Sequence, residues 1–136
     1  MKEAKSFIKK WHDLVGTDNI DLLKAIIDEK AVFSSPVVFT PMVGKDITVM
    51  YLHAAGNSFN MEEFKYTREV HDGMNSVLEF ETSIDSISVN GVDMIQWNEQ
   101  GKIVDFKVMI RPFKAVEIVK LKMIESLERL KQESNN

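Results

Sequence analysis

The carboxyl group of Asp93 stands in unusual company. Its strand, Ile87 to Trp97, alternates with period two, so Asp93 shares a face with Ile95 and Trp97. Burial on an apolar face pushes an acid toward its neutral form, above the ~3.9 of a free aspartate, and a neutral carboxyl can donate a hydrogen bond as well as accept one. Two structural roles compete with that chemical one: an aspartate at a strand start can bond nearby backbone, or it can pair with Arg68. Tyr51 and Tyr66 fall on faces read as inward, where a hydroxyl meets either a bound molecule or the edge of the core. Arg111 alternates with Val108 and Ile110 and so points outward, unless a bulge turns it toward a ligand.

Other chemistries are excluded by residue type or spacing. The chain has no cysteine, which removes disulfides, thiolate zinc sites and a cysteine nucleophile together. His12, His53 and His71 lie far apart with no paired helical spacing, so no metal is expected, and no cofactor either. Lys and Arg total 17 against 21 Asp and Glu, a net charge of −4 without a basic patch, which argues against nucleic acid. Lys2, Lys5, Lys9 and Lys10 read as the wet side of an amphipathic helix rather than a targeting segment. No apolar run has the length of a membrane span, so residence in the cytoplasm is the expectation.

The elements that must position these groups follow from periodicity. The 136 residues, 44% hydrophobic and 28% charged with the signs mixed, suit one domain over 1–136 with a packed core. Ala4 to Val15 carries Ala4, Phe7, Ile8, Trp11 and Leu14 at helical spacing, and Thr17-Asp18-Asn19 opens a second helix with Ile20, Leu23 and Ile27 on one face. Ala31 to Phe39 reads as a short strand broken at Ser34-Ser35-Pro36, and Gly44 leads into a third helix through Ile47, Met50, Tyr51, Ala54 and Ala55. Four strands follow as an antiparallel meander: one with Phe64, Tyr66, Arg68 and Val70 on one face, one with Leu78, Phe80 and Thr82 opposite Glu79 and Glu81, then Ile87 to Trp97 and Ile103 to Ile110. A closing helix runs from Phe113 to Leu130. Met94 and Met109 fall on the outer face of the sheet and suggest a homodimer interface.

Three segments resemble the SnoaL-like family of the nuclear transport factor 2-like superfamily. They are Phe33-Ser34-Ser35-Pro36-Val37-Val38-Phe39-Thr40-Pro41 with Gly44-Lys45, then Gly91-Val92-Asp93, and Gly101-Lys102-Ile103-Val104-Asp105-Phe106-Lys107-Val108-Met109-Ile110-Arg111-Pro112. The resemblance implies an α+β, cone-shaped fold: a curved antiparallel sheet wrapped by N-terminal helices around a pocket, with a C-terminal helix, commonly dimeric. Relatives of that shape include polyketide cyclases, ketosteroid isomerases, epoxide hydrolases, dehydratases and pure binding modules, so fold does not select the reaction.

Carried over position by position, the resemblance sets Asp93 where ketosteroid isomerases keep a protonated aspartic acid. Their base precedes a proline at the end of the first strand; Ser35 stands there and has no useful basicity. The isomerases' tyrosine falls near Trp11. The last-strand aspartate of the hydrolases and cyclases is replaced by Val108, while Glu79 and Glu81 face away and Asp105 has the parity opposite to Val108. Asp93 is therefore the one catalytic candidate. Trp11, Phe39, Tyr51, Tyr66 and Phe80 are expected ligand contacts, joined by Ile95, Trp97, Val108 and Arg111. The expected occupant is a small apolar or oxo-containing molecule, either bound unchanged or, alternatively, processed by an isomerase, dehydratase or cyclase-like enzyme with Asp93 as acid.

Overall fold

The computed structural model describes residues 3–134. Helix α1 (Ala4–Leu14) buries Ala4, Phe7, Ile8, Trp11 and Leu14, the stripe that 3.6-residue spacing selects. It stops at Gly16, whose φ of 87° suits a residue without a Cβ, and the Thr17 hydroxyl donates back to the Leu14 carbonyl at 2.7 Å. Asn19 caps α2 (Ile20–Ile26) by accepting from the Leu22 amide at 3.1 Å. Without an intervening loop the chain then extends into β1 (Ile27–Ser34), so Ile27 opens the strand instead of closing the helix.

β1 ends before the expected Phe39. Pro36 has no amide proton, and the Ser35 hydroxyl accepts from the Val37 amide at 3.0 Å, which curls the chain out of the sheet. Val38 and Phe39 are left outside it. A two-residue strand, β2 (Met42–Val43), returns antiparallel to β1, and Gly44 turns the chain into α3 (Lys45–Ser58). Strands β3 (Lys65–Asp72), β4 (Asn75–Ile84), β5 (Ile87–Trp97) and β6 (Ile103–Arg111) form the meander, and α4 (Phe113–Ser134) closes the described chain.

The sheet has the order β2-β1-β6-β5-β4-β3. All pairs are antiparallel except β1 with β6, which run parallel, so the sheet is mixed where an antiparallel one was expected. Joining the first strand to the last across the whole meander makes this parallel pair possible, because no hairpin constrains it.

A second departure lies in β3. Its register with β4 slips between Tyr66 and Arg68, placing Glu69 opposite Leu78 and His71 opposite Ser76. Tyr66 stays on the inner face, but Arg68 and Val70 turn outward; Arg68 Nε donates to Glu79 Oε1 at 2.8 Å on the outer surface. The bulge thus removes Arg68 from Asp93.

Two buried clusters hold the layers together. One packs α1 and α2 on the sheet through Phe7, Trp11, Leu23, Leu78, Trp97 and Phe106; the other sets α4 on β4 and β5 through Phe80, Ile84, Val89, Ala115 and Val119. Each of these buried side chains of valine size or larger contributes roughly 1.5–3 kcal/mol. Tyr66 and Val108 touch both clusters, so they stand where the two bodies part. Among the described residues no helix is long and apolar enough to cross a membrane.

Candidate functional site

Where the clusters part, the curved sheet, the α1–α2 turn, α3 and α4 enclose a cavity of about 470 Å³, within the usual size of a small-molecule site. Its wall is mainly apolar, with Phe33, Leu52, Phe59, Phe64, Phe80, Phe106, Val108, Ile110 and Met123 among its lining. Asp93 is buried in that wall, 6% exposed, opposite Val108 on β6 and Leu78 on β4.

A chain of hydrogen bonds leads to it. The Trp11 indole Nε1 donates to the Tyr66 hydroxyl oxygen at 2.8 Å, and the Tyr66 hydroxyl donates to Asp93 Oδ2 at 2.7 Å. An indole can only donate, so Trp11 occupies a lone pair of the phenol and leaves its proton directed at Asp93. Burial raises the Asp93 pKa to about 7, the Tyr66 bond opposing that rise by favouring the carboxylate. Burial, followed by the Asp93 charge, raises the Tyr66 pKa well above the ordinary phenol value, so the phenol keeps its proton. Oδ2 being the acceptor of that proton, the titrating proton of Asp93 belongs on Oδ1. No buried side-chain oxygen or nitrogen among the described residues lacks a partner, so Oδ1 is the oxygen open to the cavity. Neutral, it donates to an oxo group; ionised, it accepts a proton.

The other expected contacts divide. Trp11, Tyr51, Tyr66, Phe80 and Val108 lie in the cavity wall with Asp93, Tyr51 packing edge-on against Phe33 at 5.6 Å. Ser35 is also in that wall, its hydroxyl engaged by the Val37 amide. Ile95 and Trp97 share the inner face but lie outside the cavity, because α1 covers that end of the sheet: Phe7 packs on Trp97 at 5.8 Å, and the Trp97 indole donates to the buried Ser76 hydroxyl at 3.1 Å. Phe39 is 99% exposed, carried out of the sheet by the turn at Ser35-Pro36. Arg111 is exposed on the outer face, where strand alternation directs it and its Nη1 donates to Asn90 Oδ1 at 3.3 Å.

The cavity also reaches residues that were not among the expected ligand contacts. Phe59 and Phe64 join its aromatic wall through Phe80, whose ring stacks on Phe64 at 5.1 Å. At the rim Asp18 faces His53, Oδ1 to Nδ1 3.6 Å, and the exposed Lys120 of α4 borders the cavity beside Met123 and Ile124. Outside the cavity His12 pairs with Glu69, and His71 Nδ1 lies 2.8 Å from the Ser76 hydroxyl. Among the described residues no group of three or more His, Asp or Glu is placed to hold a metal ion.

No protein-family model and no curated protein matches the chain. Solved structures do. A steroid delta-isomerase from Pseudomonas aeruginosa superposes with a TM-score of 0.86 at 30% identity, over 98% of this chain and 95% of that one. An uncharacterised bacterial protein with a cystatin-like fold from Silicibacter pomeroyi gives 0.81 at 30% identity, over 88% and 83%. A nuclear transport factor 2-like protein of unknown function from Mesorhizobium loti, at 16% identity and 0.70 over 80% and 91%, shares the fold. Near-complete coverage at 30% identity, on a mixed curved sheet closed by a C-terminal helix, shows that the chain belongs to the SnoaL-like family of the nuclear transport factor 2-like superfamily.

Proposed function

We propose that the protein binds a small, largely apolar molecule through an oxo group directed at Asp93. The observation that carries this reading is the Trp11–Tyr66–Asp93 chain, which ends on a carboxyl oxygen open to an apolar cavity. Buried polar groups destabilise a fold unless they are satisfied, and a neutral acid beside an apolar wall is satisfied by a ligand acceptor. Native mass spectrometry of freshly isolated protein tests it: a stoichiometric oxo-compound is expected in wild type and depleted in Asp93→Asn. An empty wild-type protein that also ignores added apolar ketones would overturn it.

One observation favours a second reading, an isomerase, dehydratase or cyclase-like enzyme on an apolar carbonyl compound. A carboxyl titrating at about 7 is matched to proton transfer at neutral pH. The related Pseudomonas aeruginosa structure is described as a steroid delta-isomerase. Against it stands Ser35, with no basicity and a hydroxyl already bonded to backbone. The two readings part on a β,γ-unsaturated ketone: binding without isomerisation is expected. Turnover in wild type that is lost in Asp93→Asn would establish the enzyme, and turnover that survives both Asp93→Asn and Ser35→Ala would move the site elsewhere.

We also propose a homodimer through the outer face of the sheet, where Met94, Met109 and Val70 are 38%, 48% and 57% exposed. Apolar side chains grouped on one sheet face favour a partner over water. Met94→Lys with Met109→Lys is expected to shift sedimentation from dimer to monomer while the melt stays cooperative. An unchanged profile would rule the face out.

A further inference from the structure

We infer that the molecule this cavity accepts is an amphiphilic oxo-acid, with its oxo group against Asp93 and a carboxylate held at the rim by Lys120. This rests on the small-molecule reading above and names the chemistry of the ligand's other end.

α4 faces the cavity with Val119, Lys120, Met123, Ile124 and Leu127, a helical stripe in which Lys120 is the one charged residue. The charged side chains of the wall other than Lys120 have partners: Asp93 has Tyr66, and Asp18 faces His53 at 3.6 Å. Two residues along α4, Lys122 is held by Asp85 at 3.0 Å and Glu125 at 3.6 Å. Lys120 has no carboxylate within ion-pair distance among the described residues. Other exposed lysines of the chain also lack an ion pair, but Lys120 alone of them borders the apolar cavity, where its ammonium is placed to meet an anion carried by the occupant.

The kind of anion follows from the donors. One ammonium is a point charge suited to a monoanion, whereas phosphate groups are met by arginine forks or several cations; the cavity wall includes no arginine, and the short α2 N-terminus beside it is capped by Asn19 with Asp18 adjacent. Between the two poles the wall is Phe59, Phe64, Val108, Ile110 and Met123, which calls for a hydrocarbon body.

A lysine can also lie over apolar surface only to keep its charge in water. That arrangement would treat an acid and its neutral ester alike, so the pair of ligands separates the two. Calorimetric titration with a graded series of aliphatic oxo-carboxylic acids and their methyl esters is the test. Wild type is expected to prefer the acid roughly fivefold at low salt, less at high salt, as an exposed ion pair does. Lys120→Met should abolish the preference and Lys120→Arg should keep it, while Asp93→Asn weakens acid and ester by the same factor. A wild type indifferent to the carboxylate, or a preference that survives Lys120→Met, overturns the rim assignment alone. Failure of both ligands to bind wild type, or indifference of both to Asp93→Asn, overturns the small-molecule reading with it.

Discussion

Asp93→Asn is expected to be more stable than wild type above neutral pH and to lose that advantage in acid. The ordinary aspartate value of 3.8 applies to the unfolded chain, and the folded group titrates at about 7. Between those values the folded protein holds a proton that the unfolded chain has released, so stability falls as pH rises. The favourable contribution is complete below 3.8 and lost by the time pH has passed through about 7. At 1.36 kcal/mol for each pH unit between the two values the swing is about 4 kcal/mol. Asparagine is neutral throughout and still accepts from Tyr66, so the variant lacks this slope. Its stability advantage should climb from near zero at about pH 4 to its full size above about pH 8. Affinity for an oxo ligand should fall, by up to roughly tenfold, because an amide is a weaker donor than a neutral carboxyl. Paired urea melts across pH, with a carbon-13 carboxyl titration, measure both. Parallel stability curves, or a folded midpoint below the ordinary value, would return Asp93 to a structural role.

The sequence discloses this acid because β5 alternates without interruption from Ile87 to Trp97 and its neighbours on the inner face are apolar. Alternation gives the side of a sheet but not the position along it. Ile95 and Trp97 share the face of Asp93, yet α1 covers their end of the sheet while the end holding Asp93 is open. Parity also fails wherever a strand slips, as at Thr67, and the slip that moved Arg68 outward leaves Asp93 with Tyr66 instead. The bond between Trp11 and Tyr66 joins residues 55 apart in sequence, and only the packing of α1 across the meander makes it. Lys120 escaped for a different reason. A lysine on a helix reads as a solvated residue until the helix's neighbours are known, although its place beside Val119 and four before Ile124 is the spacing of a lining residue.

The parallel pairing of β1 with β6 has the same origin as those failures. Nothing local in Ile27–Ser34 distinguishes a strand that hairpins onto its successor from one that joins the last strand of the sheet. In the structure β1 joins the β6 edge of the meander, and the helices on either side of it in sequence, α2 and α3, line the cavity. Leu23 and Val49 accordingly meet Phe106 and Ile103 in one cluster. The site is therefore a product of tertiary order: α1 brings Trp11, β3 brings Tyr66, β5 brings Asp93 and α4 brings Lys120.

Gly91→Ala is expected to destabilise the protein by about 3 kcal/mol, the upper part of the overpacking range, and to weaken ligand binding with it. Gly91 lies in β5 directly opposite Phe80 of β4 and Ile110 of β6. Its backbone needs no special conformation; the demand is for space. A Cβ there would lie 2.4 Å from Phe80 Cζ, 2.7 Å from Phe80 Cε2 and 2.9 Å from the Met109 carbonyl oxygen. The carbonyl belongs to the sheet and cannot move away, so the Phe80 ring must. That ring stacks on Phe64 at 5.1 Å, and Phe64 meets Tyr66 edge-on at 5.1 Å, so displacement passes to the phenol that holds Asp93. Shortening the offending ring tests this route. Phe80→Leu removes the clashing atoms at its own cost in packing, so the double variant should be more stable than the sum of the single losses predicts, by roughly 0.5–3 kcal/mol. Urea melts of the four proteins give the cycle, and a ketone titration of each shows whether affinity returns with the space. Strict additivity, or a neutral Gly91→Ala, would mean that β5 and β6 part to admit the methyl group and that the aromatic wall does not depend on glycine at this position.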